Sequence, residues 1–169
     1  MNAKQSSFLP LAAVIVAIDQ LGKLHASRSI EVGARVPLVG DFVALTHLPS
    51  AGGALGLFRN WSPTLQLAGF ALLSIVALAV IITFYRGLAP GERGSAAALG
   101  AILGGIVSNG IDRVRYGSGI DFIHLGSIET DGIPDFNLAD VAIVLGVATL
   151  IIELLATEMA ARASERPRP

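Results

Sequence analysis

Two carboxyl groups in apolar surroundings are the residues of this chain best suited to acid-base chemistry. Asp121 lies inside the apolar, strand-like run 119–123, where it is expected to be partly desolvated. Asp140 stands at the start of a later apolar segment. When two carboxylates share a site, repulsion raises one pKa, so the pair holds one proton and offers an acid and a base. If the loop between them folds back, the pair can activate a water against a peptide carbonyl.

A purely structural explanation of Asp140 is also open. Asn137 can cap a helix that begins beside it, and Asp140 then complements the positive end of the helix dipole. Either explanation fits the residue types, and only the position of Asp121 distinguishes them.

A second acid, Asp19, is spaced four residues from Lys23 in an apolar segment. On a helix this spacing puts the carboxylate and the ammonium on one face, where each lowers the other's cost of leaving water. The pattern predicts an ion pair. The alternative is that both side chains extend into headgroups or water at the membrane interface.

A third segment carries two parallel stripes at four-residue spacing. One stripe is Gly100, Gly104, Ser108 and Asp112, and its neighbour is Gly105, Asn109 and Arg113. Small residues allow another helix to approach closely, so this face is predicted to pack inward. Its polar end is predicted to form one hydrogen-bonded network that supports a site. A polar helix end that simply meets water is the alternative.

Other chemistries lack their residues. The chain has no cysteine, and its histidines, His25, His47 and His124, are scattered. Neither the HExxH zinc signature nor the GxSxG nucleophile motif occurs. Of the two lysines, Lys4 lies near the N-terminus and Lys23 already has a partner. We therefore expect no metal, no cofactor and no serine mechanism.

These residues belong to a strongly apolar chain. Of 169 residues, 53% are hydrophobic and 15% are charged, and the mean hydropathy is +0.66. Four apolar stretches, 8–24, 65–85, 95–111 and 138–155, approach the roughly 17 to 25 residues that cross a bilayer as a helix. The charged pair 19 and 23 argues against a cleaved signal peptide in the first stretch. The composition predicts a multi-span, all-α membrane protein and, with a net charge of -1, no nucleic-acid partner.

The remaining segments suggest a single domain over residues 1–163 and a disordered tail over 164–169. In the first long loop, residues 42–47 alternate between apolar and small or polar types after Pro37 and Gly40, which predicts a short strand. A small β-rich region is therefore expected on the outer membrane surface.

Basic residues help to orient the chain. Four crossings put both termini on one side, and cytoplasmic loops carry an excess of Lys and Arg. The residues on the side of the termini are Lys4, Arg86, Arg93, Arg162, Arg166 and Arg168. The opposite loops carry Arg28, Arg35, Arg59, Arg113 and Arg115. The balance predicts that both termini are cytoplasmic.

Taken together, the motifs resemble the lipoprotein signal peptidase family, also called signal peptidase II. They are Asp19-Gln20-x-x-Lys23, Gly52-Gly53-Ala54-Leu55-Gly56, Asn109-x-x-Asp112-Arg113, Asp121-Phe122-Ile123 and Phe136-Asn137-x-Ala139-Asp140. The likeness runs in order from residue 19 to residue 140.

The resemblance implies a four-helix bacterial inner-membrane aspartyl endopeptidase without a cofactor. Such an enzyme removes signal peptides from diacylglyceryl-modified prolipoproteins, cutting before the lipidated cysteine at the outer face of the membrane. It implies that Asp121 and Asp140 are the catalytic dyad. Residues implied to support or line the site are Asp19, Lys23, Ser50, Gly52, Asn109, Asp112, Arg113 and Asn137. Membrane lipids and prolipoprotein signal peptides are the expected partners of a monomer.

Two positions depart from the family pattern. Ser50 stands where the family usually has asparagine, and Ser108 stands where it usually has glycine. Ser50 has a shorter reach than an amide, which predicts weaker binding of substrate or inhibitor. The alternative is a divergent paralogue that binds lipoprotein precursors with little or no catalysis. A proton-coupled transporter is less consistent, because relay acids normally lie near the membrane midplane.

Overall fold

The structure, a computed structural model of the chain, describes residues 3–40, 42–50, 60–126 and 134–164. Its elements in chain order are α1 (Ala3–Ser29), β1 (Arg35–Val39), β2 (Val43–Ser50), α2 (Pro63–Gly87), α3 (Arg93–Tyr116), β3 (Gly119–Leu125) and α4 (Leu138–Ser164). Gly52, expected to border the site, lies outside the described residues, as do residues 165–169 of the expected tail.

All four helices are long and apolar enough to cross a membrane, over Ala3–Ser29, Pro63–Gly87, Arg93–Tyr116 and Leu138–Ala160. The helices are longer than the apolar stretches that predicted them. Hydropathy marks the part of a helix that lies in hydrocarbon, whereas hydrogen bonding continues into the interface. The predicted four-span architecture is confirmed.

Helix α3 is the centre of the bundle, with α1 and α4 packed on its two neighbouring stripes of small residues. A Cβ at Gly104 would come within 2.7 Å of the Ala12 carbonyl oxygen in α1. A Cβ at Gly105 would lie 2.5 Å from the Ala139 carbonyl oxygen in α4. Because glycine lacks that atom, both neighbouring backbones approach α3 closely. The predicted inward-facing stripes are therefore confirmed.

Helix α2 packs more loosely at the side of the bundle. Its Ile81 is buried against Leu99 and Ile102 of α3, while most of its large apolar side chains are exposed. Near its end, Tyr85 stacks on Phe8 of α1 with ring centroids 4.3 Å apart. Exposed apolar side chains on a membrane-spanning helix are available to lipid or to an apolar ligand.

A three-stranded antiparallel sheet with the order β1-β2-β3 lies beside the helix bundle. Strand β1 was not predicted, because Pro37 suggested a breaker. Proline is tolerated there because β1 is an edge strand, where a missing N–H breaks no ladder. Strand β2 covers most of the predicted strand at residues 42–47. Strand β3 pairs with β2, and its Ile123 also bridges to Phe136 just before α4.

Candidate active site

A buried ion cluster lies between α1 and α3. Lys23 is 2% exposed and Asp19 is fully buried, with Nζ to Oδ2 at 2.7 Å. The Lys23 ammonium also lies 2.5 Å from Asp112 Oδ2, an oxygen with no other hydrogen-bond partner. The ammonium therefore holds two carboxylates. The predicted pair is confirmed, and the alternative of side chains reaching into water is wrong.

Asn109 connects this cluster to the start of α4. Its Oδ1 accepts a hydrogen bond from Lys23 Nζ at 2.9 Å, and its Nδ2 donates to Asp140 Oδ1 at 2.9 Å. Since the ammonium can only donate, it fixes which end of the amide faces Asp140. The cluster thereby determines the position of one carboxylate oxygen of Asp140.

Asn137 and Asp140 cap the first turn of α4 reciprocally. Asn137 Oδ1 accepts from the backbone N–H of Asp140 at 3.0 Å, and Asp140 Oδ2 accepts from the backbone N–H of Asn137 at 3.3 Å. This exchange is a capping box, with one acceptor at the cap and one three residues later. The cap predicted as the structural explanation is therefore present.

The same asparagine also reaches the second carboxylate. Asn137 Nδ2 donates to Asp121 Oδ1 at 2.8 Å, and because Oδ1 of the amide is used by the α4 cap, Nδ2 must face β3. One buried side chain therefore contacts both Asp121 and Asp140. The cap at Asp140 therefore does not exclude the predicted acid pair, which stays a prediction.

Asp121 lies on β3, outside the membrane-spanning helices, and is 8% exposed. Burial, and to a smaller extent the negative charge of Asp140, raise the net pKa of Asp121 to about 6. Hydrogen bonds from Ser50 and Asn137 oppose this rise by stabilising the ionised form. Asp121 thus keeps its proton far closer to neutral pH than an exposed aspartate does.

Arg113 joins the predicted network through the backbone of Asn109. Its Nη1 donates to the backbone carbonyl of Asn109 at 3.0 Å, and its guanidinium carbon lies 3.6 Å from the ring centroid of Phe70 in α2. The negative charges of Asp140, Asp112 and Asp121 all act on the guanidinium, so it lies near both candidate acids. Together with Ser50 and Gln66 it lines a small cavity.

A further polar cluster in the sheet was missed by the sequence analysis. His124 Nδ1 lies 2.7 Å from Asp135 Oδ1, and Thr46 Oγ1 donates to Asp135 Oδ2 at 2.6 Å. The cluster joins β2 and β3 to the segment that leads into α4. No short motif links these three residues, so only strand pairing could have revealed them.

Gln20 was also missed as a contributor, although it is part of the first motif. Its Nε2 donates to Asp112 Oδ1 at 2.7 Å and thereby holds the carboxylate oxygen that Lys23 does not hold. Within the described ranges, no group of three or more His, Cys, Asp or Glu side chains could hold a metal ion.

The fold and this site define a class: a four-helix membrane protein in which one asparagine side chain hydrogen-bonds the carboxylate of Asp121 and, at the start of α4, the backbone N–H of Asp140. The model of the family Peptidase_A8, signal peptidase (SPase) II, matches residues 11–156. The chain belongs to the signal peptidase II family, which is a family of proteases.

Relatives agree with this assignment, and a solved structure shares the fold. The chain is 35% identical over 144 residues to the lipoprotein signal peptidase of Geobacillus thermodenitrificans, covering 85% of this chain and 86% of the relative. It is 36% identical over 148 residues to that of Moorella thermoacetica, covering 88% and 92% of the two chains. A solved bacterial membrane enzyme with 24% identity shares the fold with a TM-score of 0.78, over 94% of this chain and 91% of that one.

Proposed function

We propose that this chain is an intramembrane aspartyl endopeptidase that removes signal peptides from diacylglyceryl-modified prolipoproteins, cutting before the lipidated cysteine. Membership of the signal peptidase II family supports cleavage of such precursors. The observation that carries the aspartyl mechanism is that Asn137 hydrogen-bonds Asp121 and caps the turn that holds Asp140.

In the proposed reaction, a water lies between the two carboxyl groups. The ionised carboxylate takes a proton from the water while the water oxygen attacks the scissile carbonyl carbon. The protonated carboxyl group polarises the carbonyl oxygen. The C–N bond then breaks as the leaving nitrogen receives the proton that the carboxylate took from the water. A pKa of about 6 for Asp121 favours a pair that shares one proton near neutral pH.

The supporting residues have distinct tasks in this proposal. Lys23, held by Asp19 and Asp112, orients Asn109, and Asn109 in turn holds one oxygen of Asp140. Holding a carboxylate in one geometry before substrate arrives lowers the entropy lost in the transition state. These residues are positioning groups for the dyad.

The cavity beside the dyad is the proposed place for polar groups of the substrate. It is lined by Ser50, Gln66 and Arg113, and the Ser50 hydroxyl also hydrogen-bonds Asp121. The Arg113 guanidinium lies against Phe70 and carries five N–H donors, one of which binds the Asn109 carbonyl. Carbonyl or ester oxygens are suitable acceptors there.

In the proposed orientation both termini are cytoplasmic, and the dyad and the sheet lie at the outer face of the inner membrane. The basic residues on the terminal side support this orientation. The sheet exposes Val36, Leu38, Val39 and Phe42, which suits contact with the membrane surface. A lipid-modified substrate can then keep its acyl chains in the bilayer while its peptide reaches the site.

A monomer is sufficient for this function, because all proposed site residues are on one chain.

The test is cleavage of a diacylglyceryl-modified prolipoprotein peptide by the purified protein, with product masses measured. We expect one cut directly before the modified cysteine, and no cut in the same peptide without lipid. Tight binding of an intact substrate would instead favour the non-catalytic paralogue. Ser50→Asn would then be the variant to test for recovered cleavage.

A further inference from the structure

Ser108 is a fully buried hydroxyl at the centre of the bundle, at a position where the resembled family usually has glycine. Its Oγ donates to Asp19 Oδ2 at 2.7 Å and accepts from Gln20 Nε2 at 3.1 Å. The Ser108 hydroxyl thus donates a hydrogen bond to the Asp19 carboxylate and accepts one from the Gln20 amide. A residue that the stripe pattern predicted to pack against another helix is also a hydrogen-bonding member of the cluster.

The hydrogen bond from Ser108 determines how Asp19 is oriented. Its Oδ2 is held by both Ser108 and Lys23, which turns Oδ1 towards α4. There Oδ1 accepts a hydrogen bond from the backbone N–H of Ala139 at 2.9 Å. The first N–H groups of a helix have no partner within it, and a negative charge is favourable at that end. Asp19 therefore caps α4 from another helix.

We propose that Ser108 is a positioning residue for the dyad. Its hydroxyl aligns Asp19 so that Asp19 holds the backbone of Ala139, the residue directly before Asp140. Asp19 thus holds the backbone next to Asp140, in addition to the contacts that Asn109 and Asn137 make with Asp140 itself. This inference rests on the proposed function, because the consequence of misplacing Asp140 is a slower hydrolysis.

Two substitutions separate positioning from bulk or helix stability. Ser108→Ala leaves a gap of one oxygen atom, which is too small for a water, so Asp19 loses a donor. Ser108→Gly removes the whole hydroxymethyl group, so that a water can take the place of the hydroxyl. Glycine destabilises a helix interior relative to alanine. If Ser108 only supports the helix, Ser108→Ala should be more active than Ser108→Gly, because alanine favours the helix. If Ser108 positions Asp19, Ser108→Gly should have the higher kcat of the two.

The kinetic test compares wild type, both variants and a matched control on the lipid-modified peptide. The control is Thr149→Ala, which removes an exposed hydroxyl that, among the described residues, is bonded only to the Leu145 carbonyl of its own helix. We expect Ser108→Ala to lower kcat roughly tenfold with KM within about twofold of wild type, because substrate contacts are unchanged. Ser108→Gly is expected to lose less, and the control nothing.

Wild-type kcat in Ser108→Ala would overturn the proposal. So would parallel losses in both variants that follow their melting temperatures, since that pattern indicates a structural role.

A second readout does not depend on cleavage. Hydrogen–deuterium exchange of the amides at residues 137–141 is expected to be faster in Ser108→Ala than in wild type or in Thr149→Ala, because the cap on Ala139 is weakened. Unchanged exchange would contradict the positioning role even in a chain that cuts nothing. An intact substrate with wild type, together with faster exchange in Ser108→Ala, would contradict the proposed function and support the inference about Asp19.

Discussion

Replacing Lys23 with methionine is predicted to cause the largest loss of stability of any single conservative change in the ion cluster. The side chain is 2% exposed, and its ammonium contacts Asp19, Asp112 and Asn109 within 2.9 Å. Methionine has a similar length but no charge, so two buried carboxylates would lose their counterion. The unpaired charges, rather than lost packing, then determine the cost.

The magnitude follows from the number of partners left behind. Breaking a buried ion pair by removing one member costs about 3 to 5 kcal/mol. At roughly 2 to 4 °C per kcal/mol for a chain of this size, the melting temperature should fall by roughly 6 to 20 °C.

Thermal unfolding in detergent, followed by circular dichroism, measures this effect. Lys4→Met is the matched control, because Lys4 has one hydrogen bond to the Leu88 carbonyl and lies over the Tyr85 ring near the surface. We expect it to cost about 1 kcal/mol. Adding Asp112→Asn to Lys23→Met should restore part of the loss. A Lys23→Met protein as stable as wild type, or no recovery in the double variant, would refute the reasoning.

Three further results are expected. Burial raises the pKa of Asp121 to about 6 from 3.8, so the native chain holds a proton that the unfolded chain releases. The stability from this group is therefore lost as the pH rises from about 4 to about 6, and Asp121→Asn should flatten the dependence in melting curves. Asn137→Asp keeps the acceptor for the α4 cap but loses the donor to Asp121. Its kcat should therefore fall by more than its loss of stability accounts for, and a kcat equal to that of wild type would be inconsistent with the bridging role. Gly105→Ala should destabilise the fold by about 1 to 3 kcal/mol by pressing on Ala139, whereas Gly110→Ala meets no atom within 4 Å and should not, which the two melting temperatures decide.

The helices were predictable because hydropathy and small-residue spacing are local properties. The apolar stretches located all four spans, and the stripes through Gly104 and Gly105 indicated which face of α3 packs inward. Strand β1 was missed because Pro37 breaks the local pattern, while the edge position that tolerates it depends on sheet order.

The site was predictable where residues share one helix and less so where they meet across elements. The spacing of Asp19 and Lys23 suffices for an ion pair, but not for the finding that Asp112 completes it. The direction of the Asn137 amide depends on a donor in α4 and an acceptor in β3, which no local pattern contains. The role of Ser108 was hidden for the same reason, since its partner lies on α1.

The most direct test of the central claim is the cleavage rate of the lipid-modified prolipoprotein peptide with Asp121→Asn and Asp140→Asn beside wild type. Asp135→Asn is the matched control, because Asp135 pairs with His124 and Thr46 outside the dyad. We predict that each dyad variant loses on the order of 10² to 10⁴ in rate while the control stays near wild type. Near-wild-type cleavage by either folded dyad variant would contradict the aspartyl mechanism.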